Sequence, residues 1–259
     1  MHSTEDPASD PHPQAGGILV FVGPTLPLPD AQAALDATFL RPAGQGDVLL
    51  AAHAFRPRAM VLIDGEFEHR PAVRHKEILW AMAQGIVMIG AASMGALRAA
   101  ELYGFGMIGV GAIYRWYRRF PLAPDDAVAV QSGPAELGFL PLTDAMTDLR
   151  ATFSSLMRGG LISPAQRREL TAIAQRMNFR DRSLGAVLDA ARRSTDISTL
   201  LETKLVRQKH CDALAALRAT PQLVVAAGLR PNFSWLATNT FIRDLEASGI
   251  DPNLLDLYI

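Results

Sequence analysis

The sequence predicts an α/β fold: an open parallel sheet with helices on both faces, followed by an α-helical C-terminal region. Three observations carry that prediction. Short apolar runs at 18–22, 59–63 and 86–91 lack polar alternation, as strands buried on both faces do. Each run ends in turn residues and gives way to a segment with helical spacing. From Thr143 onward helical periodicity is almost unbroken.

In order along the chain, residues 1–17 mix acidic residues, Pro, Ser and His without periodicity, and read as a disordered tail. The run 18–22 is a buried strand stopped by Gly23-Pro24. Segments 30–39 and 47–55 read as helices, with Asp30 and Asp47 as caps. Run 59–63 is a second strand, closed by Asp64-Gly65. Segment 71–84 is a helix with proline in its first turn and Gly85 at its end. Run 86–91 is a third strand leading into a helix over 94–103. A helix over 109–119 and a last strand over 127–131 complete the α/β half. Helices over 143–158, 164–177, 184–193, 197–218 and 233–247 follow, with starts at Ser163-Pro164 and Asn232-Phe233. A soft boundary near residue 150 therefore divides an α/β domain (18–150) from a helical domain (151–259).

Composition excludes several classes of function. A 49% apolar and 20% charged chain of 259 residues can bury a core without staples. A net charge of −1 argues against a nucleic-acid coat. Cys211 is the only cysteine, so no disulfide within the chain and no cysteine-based zinc site can form. No run is apolar enough to span a bilayer, and residues 1–17 show no basic and apolar signal pattern. The expectation is a cytoplasmic protein that binds neither membrane nor nucleic acid. Charge is nonetheless uneven: residues 163–219 hold 11 basic and 6 acidic side chains. This stripe includes Arg167, Arg168, Arg176, Arg180, Arg182, Arg192 and Arg193. It reads either as solvated helix faces or as a docking surface for an acidic protein.

The segment Gly90-Ala91-Ala92-Ser93-Met94-Gly95-Ala96-Leu97 is the most informative. A buried strand runs into Ser93 and a helix starts at once, with small residues two before and two after. That is the layout of a nucleophile elbow with alanine in place of the first glycine. Three roles fit Ser93: a plain N-cap, an anion-binding helix start, or a nucleophile with the Met94 N–H as oxyanion donor. The P-loop pattern is absent, and no cofactor is expected.

Other polar residues belong to the same carboxyl edge of the sheet. Gly23-Pro24-Thr25 ends the first strand, and Thr25 is a candidate second oxyanion N–H. Asp64 ends the second strand, as a turn former or as the group that orients a base. His75 and Lys76 open the helix that starts at that edge. Arginine outnumbers lysine 22 to 3, so the retained Lys76, Lys204 and Lys209 suggest a need for a titratable amine. Lys76 or His75 is the expected base for Ser93, as in Ser–Lys dyads. Arg98 is a candidate carboxylate clamp or a surface ion pair. Glu66, Glu68, His69, His75 and Glu77 match no metal-ligand spacing, and no metal is expected.

Val20-Phe21-Val22-Gly23-Pro24-Thr25, Gln45-Gly46-Asp47-Val48-Leu49, Ile63-Asp64-Gly65, His75-Lys76-Glu77-Ile78-Leu79-Trp80, the Ser93 segment extended through Arg98 and Glu101, and Asp125-Asp126 before Val128-Ala129-Val130 occur in order. Together they resemble the TfuA family over roughly residues 18–150. The resemblance implies a partner of YcaO enzymes, which use ATP to activate peptide amide oxygens, and a role in backbone thioamidation of ribosomally made peptides. It implies delivery of sulfide from a ubiquitin-like sulfur-carrier protein ending in a Gly-Gly thiocarboxylate, with a precursor peptide as a further partner. Small residues such as Gly90, Ala91, Ala92 and Gly95 would then admit an extended Gly-Gly tail. Family members often read His-Gly-Pro where this chain has Ser132-Gly133-Pro134, which returns the base role to Lys76 or His75. Two readings stand: a hydrolase-like sulfide donor using Ser93, and a docking module in which Ser93 only caps a helix.

Overall fold

The computed structural model describes residues 16–66, 70–192, 203–227 and 233–258. Residues 1–15 of the tail expected over 1–17, Glu68, His69, Arg193, Asn232 and the start of the helix over 197–218 lie outside the described residues, whereas Gly16 N–H already donates to Arg56 O and Gly17 O accepts from Arg58 N–H. Five parallel strands, β1 (Ile18–Phe21), β2 (Thr38–Leu40), β3 (Ala59–Leu62), β4 (Val87–Ala91) and β5 (Ile108–Val110), form one sheet in the order β2-β1-β3-β4-β5. The strand order reverses between β1 and β3. The crevice outside the carboxyl ends of that pair is where open α/β sheets collect ligands.

Alternate residues of the strands feed two cores, as the period of two requires. Leu19, Phe21, Met60, Leu62 and Met88 pack with α2 (Asp47–Phe55), α3 (His75–Ala83) and α10 (Asn239–Ala247). Ile18, Val20, Val61, Ile63 and Ile89 pack with α1 (Leu28–Ala34) and α9 (Gln208–Ala226), the latter through Ala213, Ala216 and Leu217. Helices α4 (Met94–Leu102) and α5 (Gly111–Arg119) meet at the β4–β5 side of the sheet. Helices α6 (Met146–Arg158), α7 (Pro164–Arg176) and α8 (Leu184–Ala190) build a separate core around Leu149, Phe153, Leu170 and Leu188. The chain beyond residue 150 thus returns to the sheet and covers both of its faces. Among the described residues no helix is long and apolar enough to cross a membrane.

Several sequence expectations need correction. The helix expected over 30–39 stops at Ala34, because Leu35 turns extended (φ −154°, ψ 133°) and Thr38-Phe39-Leu40 pairs with β1. Asp30 is not its cap: Pro27 occupies that place. Asp47 is the first helical residue of α2 and accepts from the Gly44 N–H. The strand expected over 127–131 is instead a 3-10 turn (Asp125–Val128) and an extended loop. The place beside β4 is taken by β5, which is short, partly buried and carries Gly109. Pro71 is not helical, because its carbonyl accepts from Gln45 N–H and Ala72 bridges Gly44, so α3 starts four residues later. The last helix starts at Asn239, with Thr238 capping Phe241 N–H.

Glu77 joins two of these helices. Its carboxylate accepts from Gly46 and Val48 at the start of α2 and from Arg74 at the start of α3. Burial pushes its carboxyl up to about 7 against the pull of those N–H groups. Because the native value lies above the ordinary 4.5, this group's contribution to stability is full below about 4.5 and is lost as pH rises through about 7. Glu77→Ala strands the buried N–H groups of Gly46 and Val48 and the part-buried one of Arg74, and a drop of about 3 kcal/mol in unfolding free energy is expected by denaturant titration.

Candidate active site at the β4–α4 junction

Between β4 and α4 the chain makes a tight turn. Ala92 has φ +65°, and Ser93 N–H donates to Ala91 O at 2.7 Å. A non-glycine residue in this region costs about 1–2 kcal/mol, and such strain concentrates at functional sites. It sits one residue earlier than a nucleophile elbow would put it: Ser93 itself has φ −115° and ψ −131°. Gly95 donates its N–H to Ile63 O at 3.1 Å, and a Cβ there would lie 1.7 Å from Leu62 O. Gly90 faces Gly95 in the same way, a Cβ on it meeting Gly95 O at 2.1 Å. The small residues expected to line a substrate crevice therefore let α4 pack backbone to backbone on β3 and β4.

The Ser93 hydroxyl makes no capping bond. Ser93 lines a cavity of about 400 Å³ together with Pro24, Asp64, Glu66, Ser132, Phe139 and Lys209. The Met94 N–H, in the first turn of α4, has no acceptor among the described residues. A plain cap thus does not account for Ser93. Ser93 lines the cavity, and the strained Ala92 and the free Met94 N–H flank it in the chain on either side.

Asp64, buried at the end of β3, accepts from Gly23 N–H at 2.9 Å, Thr25 N–H at 3.0 Å and Thr25 Oγ1 at 2.5 Å. It fixes the turn after β1 across the switch point. This corrects the expectation for Thr25, whose N–H is already used and does not serve an oxyanion. Gly23 is held in the same way. Gly23 and Thr25 line a second cavity of about 680 Å³ that shares Pro24, Val130 and Lys209 with the first.

Lys209 is the residue that sequence reasoning passed over. It sits in the first turn of α9, 4% exposed, and its Nζ donates to Val128 O at 2.8 Å. Burial pushes its amine down, while Asp64 and Asp148 pull it up. Asp148 accepts from Lys209 N–H, and burial pushes that carboxyl up to about 6. The scarcity of lysine noted in the sequence applies to Lys209 as much as to Lys76. Only the fold brings position 209 to the strand ends.

The residues expected as base lie elsewhere. Lys76 Nζ donates to Leu236 O at 3.0 Å, and His75 Nε2 meets Glu101 Oε2 at 2.7 Å. Arg98 donates to Val73 O and pairs with Glu101 at 2.7 Å, so it takes the ion-pair role and not that of a clamp. None of these three lines the Ser93 cavity. They group at the exposed side of α3 and α4, because α3 begins at His75 with its first side chains partly in solvent. Among the described residues no cluster of three or more His, Cys, Asp or Glu could hold a metal. Arg182, counted in the basic stripe, is 2% exposed and bonds Asp144 O and Asp126 O, which anchors the loop lining the cavity.

Residues 64–183 match the model of a family described as TfuA-like protein, which supports assignment of the chain to the TfuA family. No curated protein matches the chain. The matched span contains Asp64, Ser93 and the loop with Ser132, and it ends before Lys209.

Proposed function

We propose, on the premise of that TfuA-like domain, that the chain releases sulfide from the C-terminal thiocarboxylate of a ubiquitin-like sulfur-carrier protein, in support of a YcaO enzyme that forms backbone thioamides in a ribosomally made peptide. The TfuA family is generally associated with YcaO partners. The observation that carries the chemical part is the meeting of Ser93, whose hydroxyl caps nothing, with a buried Lys209 of lowered pKa in one cavity.

In the proposed reaction neutral Lys209 takes the proton of Ser93 as Oγ attacks the acyl carbon. The Met94 N–H stabilises the oxyanion. The tetrahedral intermediate collapses with cleavage of the C–S bond, and Lys209 returns the proton so that sulfide leaves as HS⁻. Water, deprotonated by the same amine, then clears the acyl-serine to a carboxylate and restores Ser93. The balance is thiocarboxylate plus water to carboxylate plus HS⁻ and one proton, which leaves to solvent in the second step. No redox partner or metal is needed.

The roles expected of Lys76 and His75 pass to Lys209. Asp64 becomes a positioning residue that holds the β1 turn and keeps a negative charge near the amine. The chain carries serine at 132, where family members often have histidine, and Ser132 lines this same cavity, so no base comes from that loop. Leu137, Leu140 and Leu142, exposed beside the second cavity, suit the apolar surface of a carrier whose tail reaches inward.

The test is sulfide release from a thiocarboxylated carrier protein by the full chain, alone and with a YcaO enzyme. Release above the rate in buffer is expected. No release in either mixture would leave the docking reading and direct attention to the exposed Arg168 and Arg176 on α7.

A further inference from the structure

A third cavity, of about 350 Å³, lies where α5, α6, α7 and the start of α9 meet, and it shares no lining residue with the two cavities around Lys209. Two arginines, Arg150 on α6 and Arg167 on α7, line it, and neither is ion-paired with a described residue. They repel one another: burial first, and the Arg167 charge after it, push the Arg150 guanidinium down. Arg167 Nε is buried without a partner, and so is Thr147 Oγ1, on a residue only 7% exposed. Thr147 is unlike Thr152, Thr171 and Thr220, each of which donates to the carbonyl four residues back. Two facing cations with two unsatisfied buried donors form an arrangement that costs free energy unless an anion completes it.

We propose that this cavity binds a small phosphate monoester. The phosphate sits between Arg150 and Arg167 with Thr147 Oγ1 donating to it, and the organic group rests on Trp116 and Ile113. Donor number favours phosphate over carboxylate. Two guanidinium forks with the Thr147 and Ser154 hydroxyls exceed what two carboxylate oxygens accept, but suit three terminal phosphate oxygens. Arg150 stands 5.5 Å from the Trp116 ring centroid, which fixes one fork while leaving apolar wall beside it. The site does not depend on the proposed hydrolysis.

The experiment is calorimetric titration of the full chain with phenyl phosphate, inorganic phosphate and benzoate at constant ionic strength. Phenyl phosphate should bind saturably at one site and more tightly than inorganic phosphate, with benzoate weaker than phenyl phosphate. Arg150→Gln and Arg167→Gln should each weaken binding at least about tenfold. Their unliganded thermal midpoints should not fall, since each substitution removes a repulsion. Thr147→Val, which keeps both charges, should also weaken binding and covers the case in which an arginine variant fails to fold. Absence of saturable binding, binding unchanged in the arginine variants, or benzoate binding as tightly as phenyl phosphate would each overturn the proposal.

Discussion

Lys209→Met should lower sulfide release by about 10²–10⁴-fold, and Ser93→Ala by at least as much. The double variant should be no slower than Ser93→Ala alone, since a base without its nucleophile contributes nothing. Lys209→Arg should be as inactive as Lys209→Met, because a guanidinium cannot take a proton in this range. That comparison separates catalysis from architecture: a purely structural Lys209, bonded to Val128 O, would be rescued in part by arginine. The pH profile supplies a second criterion. Release should rise with pH as the ammonium deprotonates, along a limb lying below the ordinary lysine value of 10.5. Stability follows the same proton. With the native pKa lowered, the unfolded chain binds a proton that the folded chain resists, so the group's contribution is full above about 10.5 and is lost as pH falls through the native value. Lys209→Met should remove that dependence, and Lys76→Ala should change neither profile.

The legible parts of this protein were those governed by local pattern. β1, β3 and β4 are apolar on both faces, and nothing but a parallel sheet covered on both sides buries such runs. β2 and β5 escaped because Thr38-Phe39-Leu40 and Ile108-Gly109-Val110 are three residues long and only partly buried, too short for periodicity to register. At the site, Ser93 was readable from the strand–serine–helix order. The function of its small neighbours was not, because Gly90 and Gly95 respond to backbones distant in sequence. The base proposed here is set by the fold for the same reason. His75 and Lys76 are near Ser93 in sequence, but α3 turns them outward to Glu101 and Leu236 O. Lys209 comes from a helix 116 positions after Ser93, and only its packing over Val20, Val61 and Ile89 delivers it to the strand ends. Asp64 was visible as a strand-end acid. That it spends three acceptor bonds on the β1 turn was not, since the pairing of β1 with β3 sets that contact.

Gly95→Ala should destabilise the whole molecule by about 3 kcal/mol or more, and little folded protein should be recovered. The added Cβ would sit 1.7 Å from Leu62 O and 2.5 Å from Leu62 C. Both atoms belong to the backbone of β3, a strand flanked on each side, so neither can move without breaking the pairing of β3 with β1 or β4. Retreat of α4 would break the Gly95 N–H bond to Ile63 O and carry Ser93 out of its cavity. Gly104→Ala, just beyond the same helix, is the matched control: nothing lies within 4 Å of its added Cβ, so the thermal midpoint should hold. Ser93→Ala should likewise melt close to the unmodified chain, because its hydroxyl caps no helical N–H. A Gly95→Ala protein that melts normally but releases no sulfide would return Gly95 to the substrate wall and place the cost in binding. A collapse in folded yield, set against an intact but inactive Ser93→Ala, would assign the two residues different work: the glycine sets how closely the helix approaches the sheet, and the serine uses the space that this approach creates.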